Sequence, residues 1–201
     1  MEMSDFFDFC SKLVLSNALA YPVELKKNEN ELWEDRDLIK GIYKGINFPV
    51  VFKQDKESGN KFTDVLDTGH PNLYLISDRM KTVLKENHLT GWQTYPIKLY
   101  DKKGNEIFGY HGFSVVGHCG PESYKNSEII EKQFVPEGPI CKYYKGVFFD
   151  AWDGTDFFTP KGVYSIFITK KAAEVLKKNK ITNIRLENLS EYEMNVDDLK
   201  R

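Results

Sequence analysis

Apolar and polar positions along this chain change period several times, and each change delimits an element. Residues 3 to 18 place Phe6, Phe9, Cys10, Leu13, Val14 and Asn17 at helical spacing behind Ser4 or Asp5 as a cap, which predicts an amphipathic N-terminal helix. Pro22 to Asp37 is rich in Glu, Lys and Asn and reads as a polar linker or loop. Ile42 to Phe52, IYKGINFPVVF, is apolar and β-branched but interrupted by Gly45 and Pro49, the pattern of a short hairpin or an edge strand. KQDKESGNKF, residues 53 to 62, reads as an exposed turn region.

The next periodic stretch occurs twice. ISDRMKTVLKENHLTGW, residues 76 to 92, aligns without a gap on ITKKAAEVLKKNKITNI, residues 168 to 184, at a constant offset of 92. Six positions are identical: Ile76/Ile168, Val83/Val175, Leu84/Leu176, Lys85/Lys177, Asn87/Asn179 and Thr90/Thr182. In the first copy LYLI is a strand that runs into Ser77, a good N-cap, followed by a helix from Asp78 to about Glu86 with Met80, Val83 and Leu84 on one face. In the second, YSIFI leads to a Thr169 cap and a helix whose equivalent face carries Ala172, Val175 and Leu176. Asn87 and Asn179 are placed to end the helices, because asparagine tolerates the left-handed conformation. Each helix then leads into another extended segment, so the unit is strand, capped helix, strand.

Between the copies, TYPIKLY, DKKGNE and IFGYHGFSVV read as strand, turn and strand, with the reversal at Lys103-Gly104-Asn105. Residues 120 to 139 are looser, with a short helix expected around Ser127 to Lys132. CKYYKGVFFDAWDGTDFF, 141 to 158, gives an aromatic strand and then a turn at Asp153-Gly154. The expected fold is α+β: mixed or antiparallel sheets, two similar strand-helix-strand units and an N-terminal helix. Residues 71 to 201 form the α+β domain with the internal repeat; residues 1 to 70 supply an N-terminal helix and strand region, either a small unit of its own or integral to that domain.

Composition narrows the function classes. In 201 residues, 41% are hydrophobic and 29% charged, as in a soluble globular protein, and 14 Phe and 11 Tyr favour strands over a purely helical bundle. A net charge of -2 provides no field that would draw the chain onto nucleic acid or an anionic membrane. The first twenty residues carry Glu2, Asp5 and Asp8 and no basic leader, so neither a signal peptide nor a membrane anchor is expected. Cys10, Cys119 and Cys141 form an odd set without C-x-x-C spacing, which excludes a disulfide framework and fits a reducing, cytoplasmic setting.

Candidate chemistry is sparse, and no cofactor or metal is expected. GHCG, residues 117 to 120, puts His118 beside Cys119, with His111 upstream, and a cysteine nucleophile requires a histidine that lowers its pKa. Neighbours on a strand point to opposite faces, so a small buried cysteine beside a satisfied histidine is the simpler reading. DAWDGTD spaces Asp150, Asp153 and Asp156 around a glycine but lacks the alternate-position oxygens and distant Glu of a calcium loop, and reads as a hydrogen-bonded turn. Trp152 beside acidic residues on that turn is also the pattern of a protein-binding hot spot, which nominates Trp152, Asp153 and Asp156 as partner-binding residues. His70 and His88 stand alone.

Taken in order, ISDRMKTVLKENHLTGWQTYPIKL, FGYHGFSVVGHCG, YKNSE, FFDAWDGTDFF and FITKKAAEVLKKNKITNIRLENLSEY resemble a family of small bacterial proteins classed as predicted immunity proteins of polymorphic toxin systems. The resemblance covers roughly residues 73 to 193 and carries little of the first seventy. It implies a cytoplasmic protein without catalytic residues, whose partner is a cognate toxin domain that it binds and neutralises. The alternative is a small-ligand-binding protein or enzyme that uses the His111, His118 and Cys119 region; a scaffold subunit acting by self-association is a third reading.

Overall fold

The computed structural model describes residues 2–12, 14–23, 26–28, 31–32, 35–133 and 135–198. It is a strand-rich α+β protein with several sheets. One sheet has five strands in the order Gly117–Cys119, Phe157–Pro160, Phe167–Thr169, Phe6–Ser11, Ile184–Asn188, antiparallel except for the first pair. A second, fully antiparallel sheet orders Val65–Asp67, Tyr74–Ser77, Tyr110–Val115, Trp92–Tyr95. A third runs Glu106–Ile107, Ile97–Tyr100, Val50–Gln54, Ala20–Pro22, and a three-stranded sheet comprises Glu128–Gln133, Ile140–Lys145 and Glu193–Asn195. Lys26–Asn28 pairs with Glu31–Leu32. The α-helices are α1 (Asp35–Ile39), α2 (Asp78–Glu86) and α3 (Lys170–Lys178).

The N-terminal helix expected from the sequence is instead the strand Phe6–Ser11, preceded by one 3-10 turn. It lies between Phe167–Thr169 and Ile184–Asn188, with both faces covered. Phe9 enters one core cluster and Phe6 another, so apolar residues have no reason to alternate, and their spacing mimics a helical stripe. The short helix expected around Ser127 to Lys132 is the outer strand Glu128–Gln133, because Ile129 and Ile130 lie opposite Tyr144 and Tyr143 in a hairpin. The edge strand expected within Ile42 to Phe52 begins only at Val50, after Pro49, and sits inside its sheet between Ile97–Tyr100 and Ala20–Pro22. The linker expected from Pro22 to Asp37 lies partly outside the described residues.

Helices α2 and α3 follow local rules closely. The Ser77 hydroxyl accepts from Met80 N and the Thr169 hydroxyl from Ala172 N, satisfying one free donor of each first turn. The asparagines terminate the helices by a route other than the expected one. Asn87 and Asn179 keep negative φ, and their side-chain amides donate to the carbonyls of Val83 and Val175 at 2.9 Å each. The left-handed position is taken one residue later, by His88 (φ 49°) and Lys180 (φ 51°). Both helices pack into one core cluster that also holds Phe9, Phe113 and Phe157, with the ring of Phe9 5.9 Å from Tyr74 and 6.0 Å from Phe157.

Candidate interaction surface and the reciprocal carboxylate clamps

The turn from Asp150 to Asp156 is held by its own polar side chains. Asp153 accepts from Thr155 N at 3.0 Å and Thr155 Oγ1 at 2.6 Å through one oxygen, and from His118 N at 2.8 Å through the other. The His118 ring lies 3.1 Å from the same carboxylate, and Asp153 N donates back to the His118 carbonyl. Partial burial opposes ionisation of Asp153, but the hydrogen bonds from Thr155 and His118 outweigh it and hold the carboxyl below its ordinary range. Gly154 at the tip takes φ 86°, a conformation that favours glycine.

Trp152 is half-buried behind this tip. Its ring rests against Phe6 and Phe158, 5.1 and 5.8 Å between centroids, and its indole N–H donates to the Thr155 carbonyl at 3.0 Å. Trp152 and Asp153 therefore share an ordered surface, with one edge of the indole committed to the core. Beside them, His118, Lys40, Lys161 and Val116 line a cleft of about 280 Å³. Its chemistry is mixed: cations, the paired Asp153 nearby and one exposed aliphatic side chain suit a protein surface better than a compact catalytic pocket.

Asp156 does not belong to that surface. It is only 6% exposed and points inward. One oxygen accepts from Thr90 N at 2.9 Å, Thr90 Oγ1 at 3.1 Å and Lys171 Nζ at 3.3 Å; the other accepts from Thr169 Oγ1 at 3.0 Å. The same set recurs at Asp64. One oxygen accepts from Thr182 N at 2.9 Å, Thr182 Oγ1 at 2.8 Å and Arg79 at 2.6 Å, and the other from Ser77 Oγ at 2.8 Å. Each carboxylate thus fixes the cap of the helix in its own region and clasps the threonine that follows the helix of the other, the reciprocity of an isologous contact. For Asp64, hydrogen bonds from Thr182 and Ser77 and the charge of Arg79 overcome burial and lower the pKa.

Asp64 and Asp156 are themselves 92 residues apart, and both follow a threonine, Thr63 and Thr155. Thr63 Oγ1 donates to the Val65 carbonyl, and Thr155 Oγ1, whose proton goes to Asp153, lies 3.0 Å from the Phe157 carbonyl. The offset of 92 that relates Ile76 to Ile168 thus extends upstream to the Thr-Asp pair, which is the sequence signal for these two carboxylates.

His118 and Cys119 both line the cleft, but the two histidines have different carboxylate partners. His111 Nε2 contacts Asp78 at 2.6 Å and Lys81 at 3.3 Å, whereas His118 faces Asp153. Cys119 is buried among Met3, Phe149 and Phe158, and burial, with Glu122, Asp153 and Asp150, pushes its thiol up to about 12. A thiol so disposed is a poor nucleophile. Among the described residues, no group of three or more His, Cys, Asp or Glu is placed to hold a metal ion, and no helix is long and apolar enough to cross a membrane. Comparison of the chain with family models and with curated proteins gives no match.

Proposed function

We propose that the chain is an immunity or interaction protein of the cytoplasm that binds and neutralises a cognate bacterial toxin domain, on a scaffold of two equivalent strand-helix-strand units. The observation that carries this reading is the Asp153 turn: Trp152, Asp153 and His118 are held by backbone and side-chain hydrogen bonds at the rim of a cleft with mixed polar and aliphatic lining. A preorganised aromatic and charged surface loses little conformational entropy when a partner is bound. The pairing of His111 with Asp78 and of His118 with Asp153, and a Cys119 thiol pushed up to about 12 by burial, favour this reading over an enzyme built on them. Asp156 contributes by fixing the scaffold rather than by touching the partner.

The test is calorimetric titration with the C-terminal domain of the protein encoded by the neighbouring gene, combined with growth rescue when the two are co-expressed. One-to-one binding with rescue, weakened at least tenfold by Trp152→Ala in a folded variant, is the expected result. A folded toxin domain that neither binds nor is neutralised overturns the reading. Binding that is indifferent to both Trp152→Ala and Asp153→Ala moves the interface away from the turn.

A further inference from the structure

The five-stranded sheet ends on Ile184–Asn188, and among the described residues no strand pairs with the outer edge of that strand. A groove of about 430 Å³ is lined in part by this edge strand. Its lining includes Ile184, Arg185 and Leu186 from the strand, Lys177 and Lys180 from the end of α3 and the turn after it, and Lys12 from the end of the neighbouring strand. No Asp or Glu lines it among the described residues, although the chain as a whole carries a net charge of -2. Lys12, Lys177 and Lys180 form no ion pair among the described residues; Lys177 lies 5.1 Å over the Phe7 ring. Arg185 donates through Nε to Cys10 Sγ at 3.0 Å, which fixes its position, while Asp8 and Glu187 act on its charge.

We propose that this groove is a second binding site, distinct from the Asp153 turn, which takes an extended acidic segment of a partner protein as an added strand. An open edge offers main-chain donors and acceptors to such a segment. Ile184 and Leu186 give alternate aliphatic contacts along it, and the four cations select carboxylate-bearing side chains. A nucleic acid is the poorer occupant: among the described residues the lining holds no aromatic face on which a base could stack. The site stands independently of toxin binding, because nothing in it uses Trp152, Asp153 or the cleft beside them.

The experiment uses the full chain and a fluorescein-labelled ten-residue peptide of alternating Glu and Val. The matching Lys-Val peptide and a ten-nucleotide oligothymidylate serve as comparators. Polarisation is read at 50 and 300 mM NaCl, and hydrogen exchange is followed over residues 184 to 188. The site predicts saturable binding of the Glu-Val peptide at low salt and at least tenfold weaker binding by Lys12→Glu/Lys180→Glu, a variant at two exposed positions whose folding is checked by its melting curve. It also predicts slowed exchange within 184 to 188 when the peptide is bound. Equal binding of the Lys-Val peptide, an unchanged affinity in the double variant, tighter binding of the oligonucleotide, or unchanged exchange along the strand would each overturn the proposal.

Discussion

The regions around α2 and α3 carry the same local grammar with different reinforcement. Ser77 and Thr169 cap the helices, Asn87 and Asn179 close them, and Asp64 and Asp156 tie each cap to the opposite region. The middle strand differs in origin: Tyr110–Val115 follows the α2 region in the chain, whereas Phe6–Ser11, which occupies the corresponding place beside α3, arrives from the N-terminus. Their registers agree pair by pair, Tyr110 opposite Ser77 as Phe6 is opposite Thr169, and Ser114 opposite Gln93 as Cys10 is opposite Arg185. The comparison teaches that a pairing geometry can be kept while the segment that fills it comes from a different part of the chain, since ladder hydrogen bonds belong to the backbone.

The largest way to break the correspondence is to remove a clamp. Asp156→Ala and Asp64→Ala each remove a buried carboxylate that accepts four hydrogen bonds, and each should lower unfolding free energy by about 3–5 kcal/mol in urea titration. A loss at one site only would show that the clamps are not energetically equivalent. For Asp64 the lowered pKa adds a pH signature: its stabilisation is present above the unfolded value and is lost as pH falls through the acid range.

Gly91 and Asn183 occupy corresponding places, with φ 82° and 63°. A Cβ on Gly91 would press into the Phe157 carbonyl oxygen, whereas Asn183 uses its side-chain amide to donate to the Val65 carbonyl at 2.8 Å. Gly91→Ala should therefore cost about 3 kcal/mol, and Asn183→Gly about 1 kcal/mol, by thermal and urea unfolding. Reversal of that order would mean that the two turns carry strain differently from the way their backbones suggest.

Asp8 and Gly112 also correspond by register, opposite Phe167 and Leu75. Gly112 leaves room for the Tyr95 ring, while Asp8 is buried, and burial, with help from Glu187 and Glu122 against Arg185, raises its carboxyl pKa to about 6. A raised carboxyl pKa means that the folded state binds this proton more tightly, so the contribution of Asp8 to stability is greatest at low pH and is lost as pH rises through about 6. Asp8→Asn should stabilise the protein by about 2 kcal/mol at pH 8 and leave it unchanged below pH 4, read as the difference between two melting curves.

The smallest effect is expected from exchanging the cations. Arg79 and Lys171 are each about half exposed beside their carboxylates, at 2.6 and 3.3 Å. Arg79→Lys and Lys171→Arg should each change stability by less than about 1 kcal/mol, since water screens such pairs. The Arg79 change should be the more costly, because its guanidinium also donates to the carbonyls of Asn179 and Lys180.

Ser77, Thr169 and the spacing of Met80, Val83 and Leu84 were readable from sequence because caps and helix faces are settled by residues three or four apart. The Trp152-Asp153 turn was readable as a turn for the same local reason. Its extension to Asp156 failed because the partners of that carboxylate include Thr90, 66 residues away. Asp64 carries no local signal of its role, because Thr182 lies 118 residues along the chain and no local pattern announces a clasp of that length.

By itself, then, the sequence determined the two capped helices and the reversal at Gly104, both set by nearby side chains and backbone preference. Tertiary structure decided that Phe6–Ser11 is a strand, that Asp64 and Asp156 are internal clamps, and that among the described residues no strand pairs with the outer edge of Ile184–Asn188, a strand that lines a groove with Lys12, Lys177 and Lys180. Those outcomes depend on which distant faces meet, and burial on both sides of a strand erases the alternation by which a strand is recognised.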